Sequence, residues 1–387
     1  MALRVTAVLQ GLSEGGAVAN CCLNQLSALA AEHQCCLISD SPLLASAVRF
    51  PIQGLPVPRL RWLRRFAHVL RQVLFILMAG VELAFSRQRR SVDVVLFHSH
   101  PPTALLAPLL RRRLGCKVVM VMHGDINDRP RGTYDPRITW WYGVCTSAAY
   151  RRADAVLALS PYMASLAVHG GARPERLHLV PNGVDAKEIG LESLRLPPLL
   201  PLQEQELLFV GRFEHNKGLD LLLAAFAQLA ERHPALRLTC IGSPDRPFLE
   251  PLRQQLQQQG LEQRVRFLAP QPRHQLGAYY SQAALVVIPS RSETQSTVAM
   301  EAMAAGRAVL ASDTGGNPML VDAPHTGLLF RNGDAADLAS QLEQLISFPQ
   351  RLAAMGRAAA ERHQAHFTRE RSAELLRASI ASIAASP

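Results

Sequence analysis

The sequence predicts an α/β protein built from two doubly wound, Rossmann-like domains. Three observations carry that expectation. The 387 residues suffice for two cores of ordinary size, short β-rich apolar runs alternate with helical patterns, and a Pro- and Leu-rich stretch without period interrupts the alternation near mid-chain. Strands that recur only after helices pair in parallel, and a parallel sheet is covered by helices on both faces.

The first series runs through LRVTAVL (3–9), a helix at 17–31, CCLIS (35–39), VDVVLFH (92–98), a helix at 103–114, CKVVMVMHG (116–124), ADAVLALS (153–160), a helix at 161–169 and LHLVPNG (177–183). LESLRLPPLLPLQEQE (191–206) has no clear period and reads as the linker. The second series comprises LLFVGR (207–212), a helix at 218–232, LRLTCIGS (236–243), a helix at 247–259, RVRFLA (264–269), a helix at 273–282, ALVVIPS (284–290), a helix from about 297 to 305, AVLAS (308–312) and a helix at 334–346. The expected layout is therefore an N-terminal domain over 1–190, the linker 191–206, a second domain over 207–365 and a C-terminal helix over 366–387. Open parallel sheets bind ligands beyond the carboxyl ends of their strands, so two of them facing a central cleft would gather loops from both. Four such loops are GLSEGGA (11–17), HGDIND (123–128), GRFEHNKG (211–218) and the segment that opens SRSETQSTVAMEAMAAG (290–306).

Composition narrows the partners. Lys and Arg number 41 against 31 Asp and Glu, and the formal charge of +10 favours phosphorylated metabolites or acidic headgroups. Aromatics are few and no nucleic-acid motif is visible, which argues against a nucleic-acid partner. Seven cysteines, at 21, 22, 35, 36, 116, 145 and 240, lack any C-x-x-C pair or zinc-ligand spacing and read as reduced thiols of a cytoplasmic protein. MALRVTAVLQG reads as a first strand rather than a signal peptide, and the apolar window 73–85 contains Glu82 and is too short to cross a bilayer.

The chemistry concentrates in two of the loops. Arg212 ends a strand and Lys217 precedes an amphipathic helix whose apolar face is Leu219, Leu222, Leu223, Phe226 and Leu229. Two cations beside a helix amino terminus suit a diphosphate, since free N–H groups and the helix dipole favour negative charge there. In the other loop Ser296 or Thr297 is a candidate N-cap. Glu293 precedes the helix, Glu301 lies a turn inside it, and the N–H groups of Ser296, Thr297 and Val298 fall between the two acids. Carboxylates accept from sugar hydroxyls and helix amino termini accept phosphate, so this unit could hold sugar, phosphate and ribose in line. The same residues also fit a blander arrangement of solvated loop cations, a capping acid and a surface acid.

ETQSTVAME resembles the E-x7-E element of glycosyltransferase family 4, retaining enzymes of GT-B architecture. FVGRFEHNKG, VPNGVD (180–185), ADAVLALS and SDTGGNP (312–318) resemble that family's other landmarks in their usual order. The resemblance implies that Arg212 and Lys217 neutralise the donor diphosphate, Glu301 holds the ribose, Glu293 contacts the transferred sugar, and Gly15 and Gly16 let a loop close on the phosphates. His123, after VVMVM, matches the histidine that lies beside the reacting sugar in many relatives. His100, Asp125 and Asn127 are acceptor-side candidates. No D-x-D motif is present, so Asp125 to Asp128 is not read as a metal site, and neither metal nor cofactor is expected. The GT-B architecture also implies that the C-terminal helix crosses back onto the N-terminal domain. Gln295 and Ser296 stand where relatives usually carry a bulky residue and Gly, and Met319 stands where they usually carry Glu.

The expected reaction is a metal-independent transfer of a hexose-type sugar, UDP-sugar favoured, to a hydroxyl of a glycan, lipid-linked glycan or lipid. In residues 59–90, Arg61, Arg64, Arg65, His68 and Arg71 share one helical side, and Trp62, Phe66, Val69, Leu70, Val73 and Leu77 the other. That pattern fits an interfacial helix on an anionic membrane surface and equally an ordinary domain helix with a basic solvated side. A peripheral place on the cytoplasmic membrane face accompanies the first. Competing classes are a GT-B sugar-nucleotide epimerase and a non-catalytic basic binder of membrane or nucleic acid.

Overall fold

The computed structural model describes residues 2–9, 17–39, 50–55, 74–75, 77–83, 92–98, 106–124, 136–191 and 206–386. They form two compact units, Met1–Pro181 together with Ser372–Pro387, and Asn182–Arg371.

Among the described residues unit 1 holds seven parallel strands: β1 (Arg4–Leu9), β2 (Gln34–Ser39), β3 (Ile52–Gly54), β4 (Val94–His98), β5 (Lys117–Val121), β6 (Ala155–Ala158) and β7 (Leu177–Leu179), in the order β3-β2-β1-β4-β5-β6-β7. Chain order reverses between β1 and β4, where Leu9 pairs with His98, and His98 pairs in turn with Val121 of β5. All five residues of β4 are buried, as a central parallel strand covered on both faces requires. Val5, Ala7 and Leu9 share one core with Leu26 and Leu29 of helix α1 (Ala17–Leu29) and with Leu376, Ile380 and Ile383 of the final helix (Arg369–Ala385). The last three recur at intervals of four and three, one apolar stripe of an α-helix, and that stripe carries residues 372–387 into unit 1.

Unit 2 holds β8 (Glu206–Val210), β9 (Arg237–Ile241), β10 (Val265–Leu268), β11 (Leu285–Ile288), β12 (Val309–Ser312) and β13 (Gly327–Phe330), parallel in the order β10-β9-β8-β11-β12-β13. Its order reverses between β8 and β11, whose following loops are the two that the sequence singled out. Leu219, Leu222, Leu223, Phe226 and Leu229 of the helix Leu219–Ala230 are all buried, as their spacing predicts.

Several elements differ from the sequence reading. The helix Pro136–Arg152 was not expected, because its aromatic and β-branched residues blur the period; Cys145, Thr146, Ala149 and Tyr150 form its buried face. β3, β13 and the helix Pro349–His366 were also missed; the two strands have three and four residues, too few to show an alternation. The unit boundary falls after Pro181, not at 190, and the return crossing after Arg371. Val184 and Ile189 are buried with Leu208, Tyr280 and Met300 of unit 2, and the Val184 N–H donates to Phe367 O at 2.9 Å. A Cβ on Gly183 would overlap the Thr368 carbonyl, so only glycine lets these two segments run so close. Of the expected linker, only Leu191 and Glu206 are described. Among the described residues no helix is long and apolar enough to cross a membrane.

Candidate functional site

β8 delivers the loop 211–218 to the end of β11. A short 3-10 turn, His215–Lys217, closes on Gly218, which has φ +69° and donates its N–H to His215 O at 3.1 Å. A Cβ on Gly218 would overlap Pro289 O, so the glycine lets Lys217 settle beside the loop after β11. There Lys217 Nζ lies 2.7 Å from Glu293 Oε2, which also accepts from Ser290 Oγ at 3.2 Å. The Lys217 side chain is 24% exposed and that of Glu293 13%, so the pair is shielded yet reachable.

Two straps hold the loop 290–296. Arg291 donates its backbone N–H to Asn216 O at 2.8 Å, and its guanidinium grips Asp220 in a bidentate pair at 2.8 and 2.7 Å. From the other side, Gly316 N–H donates to Glu293 O at 2.9 Å, and Gly315, at φ +58°, lies so close that a Cβ would overlap the same carbonyl. Asn317, fully buried, anchors this turn by donating to Ser312 O at 3.1 Å.

Burial alone would raise the Asp220 carboxyl, but the hydrogen bonds and charge of Arg291 outweigh it and hold it below its ordinary value. A lowered carboxyl stabilises the folded state above the unfolded pKa, and that contribution is lost as pH falls through the folded one. Acid destabilisation through this strap is therefore expected below about pH 4. Thermal melts across the acid range should show a shallower pH dependence for Asp220→Asn than for the wild type; equal slopes would contradict the strap.

The helix Thr297–Ala304 begins with Ser296 as its N-cap, the Ser296 hydroxyl accepting from Ala299 N–H at 3.2 Å. Thr297 is exposed and Val298 half-buried. Gln295 is buried, and its amide contacts both polar groups of the Asn182 backbone, accepting from N–H at 2.8 Å and donating to O at 3.3 Å. This departure from the family pattern thus ties the loop to the start of unit 2, a contact that a phenylalanine could not make.

Glu301 is a correction. Expected to project toward the same space as Glu293, it is only 4% exposed and belongs to a separate polar cluster. Its Oε1 accepts from Arg273 Nε at 3.1 Å and its Oε2 from the Tyr280 hydroxyl at 2.8 Å. The physical reason is the helix itself, whose residues Ala299 to Ala304 are all buried, so a side chain one turn in packs among the polar groups of neighbouring elements instead of projecting into the loop beside Glu293. Arg212 also stands outside the Lys217 contact: its side chain is 67% exposed and pairs with Glu214 at 2.9 Å.

In unit 1, His123 follows β5 and sets its Nε2 2.9 Å from His98 Nδ1, the rings stacked at 5.2 Å. His98 was missed because a histidine ending the apolar run VVLFH reads as a core residue. Arg273, Tyr280 and Asp220 were missed because nothing local pairs them with acids or cations distant in sequence, and Ser290 because only the folded loop turns its hydroxyl back to Glu293 three residues on. Gly15, Gly16, His100, Asp125, Asn127 and residues 59–73 lie outside the described residues. Leu77, expected on the apolar face of 59–90, is exposed, as is Val81 one turn on.

Two family models match the chain: "Glycosyl transferase 4-like domain" over residues 16–183 and "Glycosyl transferases group 1" over 193–362. A D-inositol 3-phosphate glycosyltransferase of Corynebacterium efficiens is 32% identical over 305 residues, 75% of this chain and 71% of that protein. Another, from Nocardia farcinica, is 37% identical over 216 residues, 53% of this chain and about half, 47%, of its own length. Among solved structures, sucrose-phosphate synthase from Thermosynechococcus elongatus superposes with a TM-score of 0.78 at 23% identity, covering 98% of this chain and 100% of that one. Anabaena HepE in complex with UDP-glucose gives 0.73 at 20%, with coverage of 98% and 100%. At these identities the solved structures speak to the fold, and the fold is that of two parallel-sheet, Rossmann-like domains. Matched over both halves and along most of a curated relative, the chain belongs to the family 4-like glycosyltransferases of the GT-B fold.

Proposed function

We propose that this glycosyltransferase is a retaining hexosyltransferase that uses a nucleotide-diphosphate sugar, UDP-sugar favoured, and transfers the sugar to a hydroxyl of a glycan, lipid-linked glycan or lipid. One observation carries the reading: Lys217 and Glu293 meet at 2.7 Å beside the head of the helix Thr297–Ala304. The amides of Ala299 and Met300 bond back to Ser296, leaving those of Thr297 and Val298 at the helix mouth for an anion. The departing diphosphate is assigned to these amides and to Lys217, with exposed Arg212 turning from Glu214 to join them. Their positive ends face the charge that grows on the leaving oxygen, which lowers the barrier. We assign this neutralisation to side chains and amides rather than to a metal ion.

Glu293, already held by Ser290, is assigned to the hydroxyls of the transferred sugar. The acceptor oxygen bonds to the anomeric carbon on the face that the diphosphate leaves, the carbon–oxygen bond to phosphate breaks, and the leaving phosphate takes the acceptor proton. His123 is assigned to the reacting sugar on the family resemblance, its ring fixed by His98. Glu301 is assigned to the ribose: a carboxylate offers about four acceptor sites, of which Arg273 and Tyr280 occupy three, and the remaining one, on Oε2, takes a ribose hydroxyl. Exposed Leu77, Val81 and Leu109 with exposed Arg112 and Arg113 support an anionic membrane surface as the place of a lipid acceptor. UDP-glucose binding to the Anabaena protein lends weight to the favoured donor.

The test is calorimetric titration of UDP-, GDP- and ADP-sugars, followed by mass spectrometry of products from candidate acceptors. A sugar nucleotide that binds and is consumed with retention supports the proposal. Binding of none, or release of an epimerised nucleotide sugar without acceptor, overturns it.

A further inference from the structure

The cluster around Glu301 contains more than a buried acid needs. Arg273 spreads its whole guanidinium over two carboxylates, Nε and Nη2 lying 3.1 and 3.0 Å from Glu301 Oε1, and Nη1 2.8 Å from Glu188 Oε2. Glu188 is also paired with Arg369 and accepts from the Asp185 N–H at 3.2 Å, closing a capping box at the turn Ala186–Ile189. Tyr280, fully buried, gives its hydroxyl to the other oxygen of Glu301. Two acids and two arginines thus balance in charge, with one neutral phenol aimed at the acid nearest the helix mouth.

We propose that Arg273 is a positioning residue for donor binding: its planar fork fixes the Glu301 carboxylate and keeps it a hydrogen-bond acceptor for the ribose of a nucleoside diphosphate. The inference rests on the assignment of Glu301 to the ribose and adds what makes that assignment workable. A carboxyl this deeply buried would otherwise take up a proton and turn from acceptor into donor. The titratable groups that face Glu301 are Arg273, Tyr280 and Glu188. Burial, the largest cause, leaves the Glu301 carboxyl above its ordinary value; Arg273 and the Tyr280 hydroxyl pull it down and limit that rise, and Glu188 pushes it up again. Burial and the neighbouring Glu301 charge push the Tyr280 phenol far above its ordinary value, so it remains a donor throughout the working range. A lysine at 273 could not serve both carboxylates, since its charge is a point and not a fork.

The opposite signs of Arg273 and Glu188 give the test. Binding of UDP to the full chain is measured by calorimetry from mildly acidic to alkaline pH, with GDP and ADP as alternatives if UDP does not bind. Arg273→Gln should weaken binding about tenfold at the acid end, the size of one lost hydrogen bond to a charged group, and recover toward alkaline pH. Its KM for the sugar nucleotide should rise far more than its kcat falls. Glu188→Gln should shift the acid limb the other way, because Arg273 is then left to Glu301, and Arg273→Lys should lie between wild type and Arg273→Gln. Should Arg273→Gln fail to fold, the Lys and Glu188 variants carry the same comparison. Loss of affinity by an equal factor at every pH, no loss, or a Glu188→Gln shift in the same direction as that of Arg273→Gln overturns the inference. Failure of the wild-type chain to bind any of the three nucleotides instead overturns the donor reading on which it rests.

Discussion

Lys217→Ala is expected to lower kcat by about 10²–10³-fold while changing the sugar-nucleotide KM far less. The ammonium lies 2.7 Å from the Glu293 carboxylate, so the two charges offset one another. When a diphosphate enters, its charge grows as the anomeric bond breaks, and the ammonium interacts more strongly with the transition state than with the bound donor. Such an interaction is read in kcat, not in binding. Removing the lysine also leaves Glu293, shielded and held by Ser290, without its counter-ion, at a cost of about 1–3 kcal/mol in stability. Lys217→Met with Glu293→Gln separates the two effects: the double variant should regain stability but not turnover. Steady-state kinetics and denaturant melts on the single and double variants measure both, and a double variant as active as the wild type would remove the pair from the mechanism.

Gly218→Ala is expected to cost about 2–4 kcal/mol and to reduce turnover at least as much as the lysine variant. Two penalties combine. A Cβ at φ +69° is strained by local sterics, and this one would also overlap the Pro289 carbonyl at the end of β11. The loop must lift, which draws Lys217 away from Glu293 and loosens the Arg291–Asn216 contact. Gly260 supplies the control, since it has φ +66° with nothing near an added Cβ, so Gly260→Ala should cost only the local strain of about 1–2 kcal/mol and leave kcat unchanged. Equal losses for the two glycines would mean that the close approach to Pro289 does not shape the site.

Where the sequence was legible, each position carried its own signal. Apart from β13, which was missed, the strands of unit 2 fall within two residues of their expected ends because buried parallel strands are continuous apolar runs closed by Gly, Pro or Ser, as in LLFVGR and ALVVIPS. Ser296 as N-cap could be read from a hydroxyl before an apolar helix, and it caps. Glu293 and Lys217 could be singled out by residue type and place. Their direct contact could not, because it spans 76 residues and depends on Gly218 lying against Pro289.

The sequence by itself determined two parallel sheets, the two loops from which Lys217 and Glu293 come, and the family through motifs in their usual order. All of these are local patterns repeated along the chain. Only the tertiary structure decided that Glu301 is buried against Arg273 and Tyr280, that Arg212 points to Glu214, that His98 braces His123, and that the units divide after Pro181. The buried contacts among these turn on which distant groups share a low-dielectric interior, whereas Arg212 pairs at the surface with a residue two positions on. A residue's type shows that it needs a partner there, and the packing of the rest of the chain selects which one it finds.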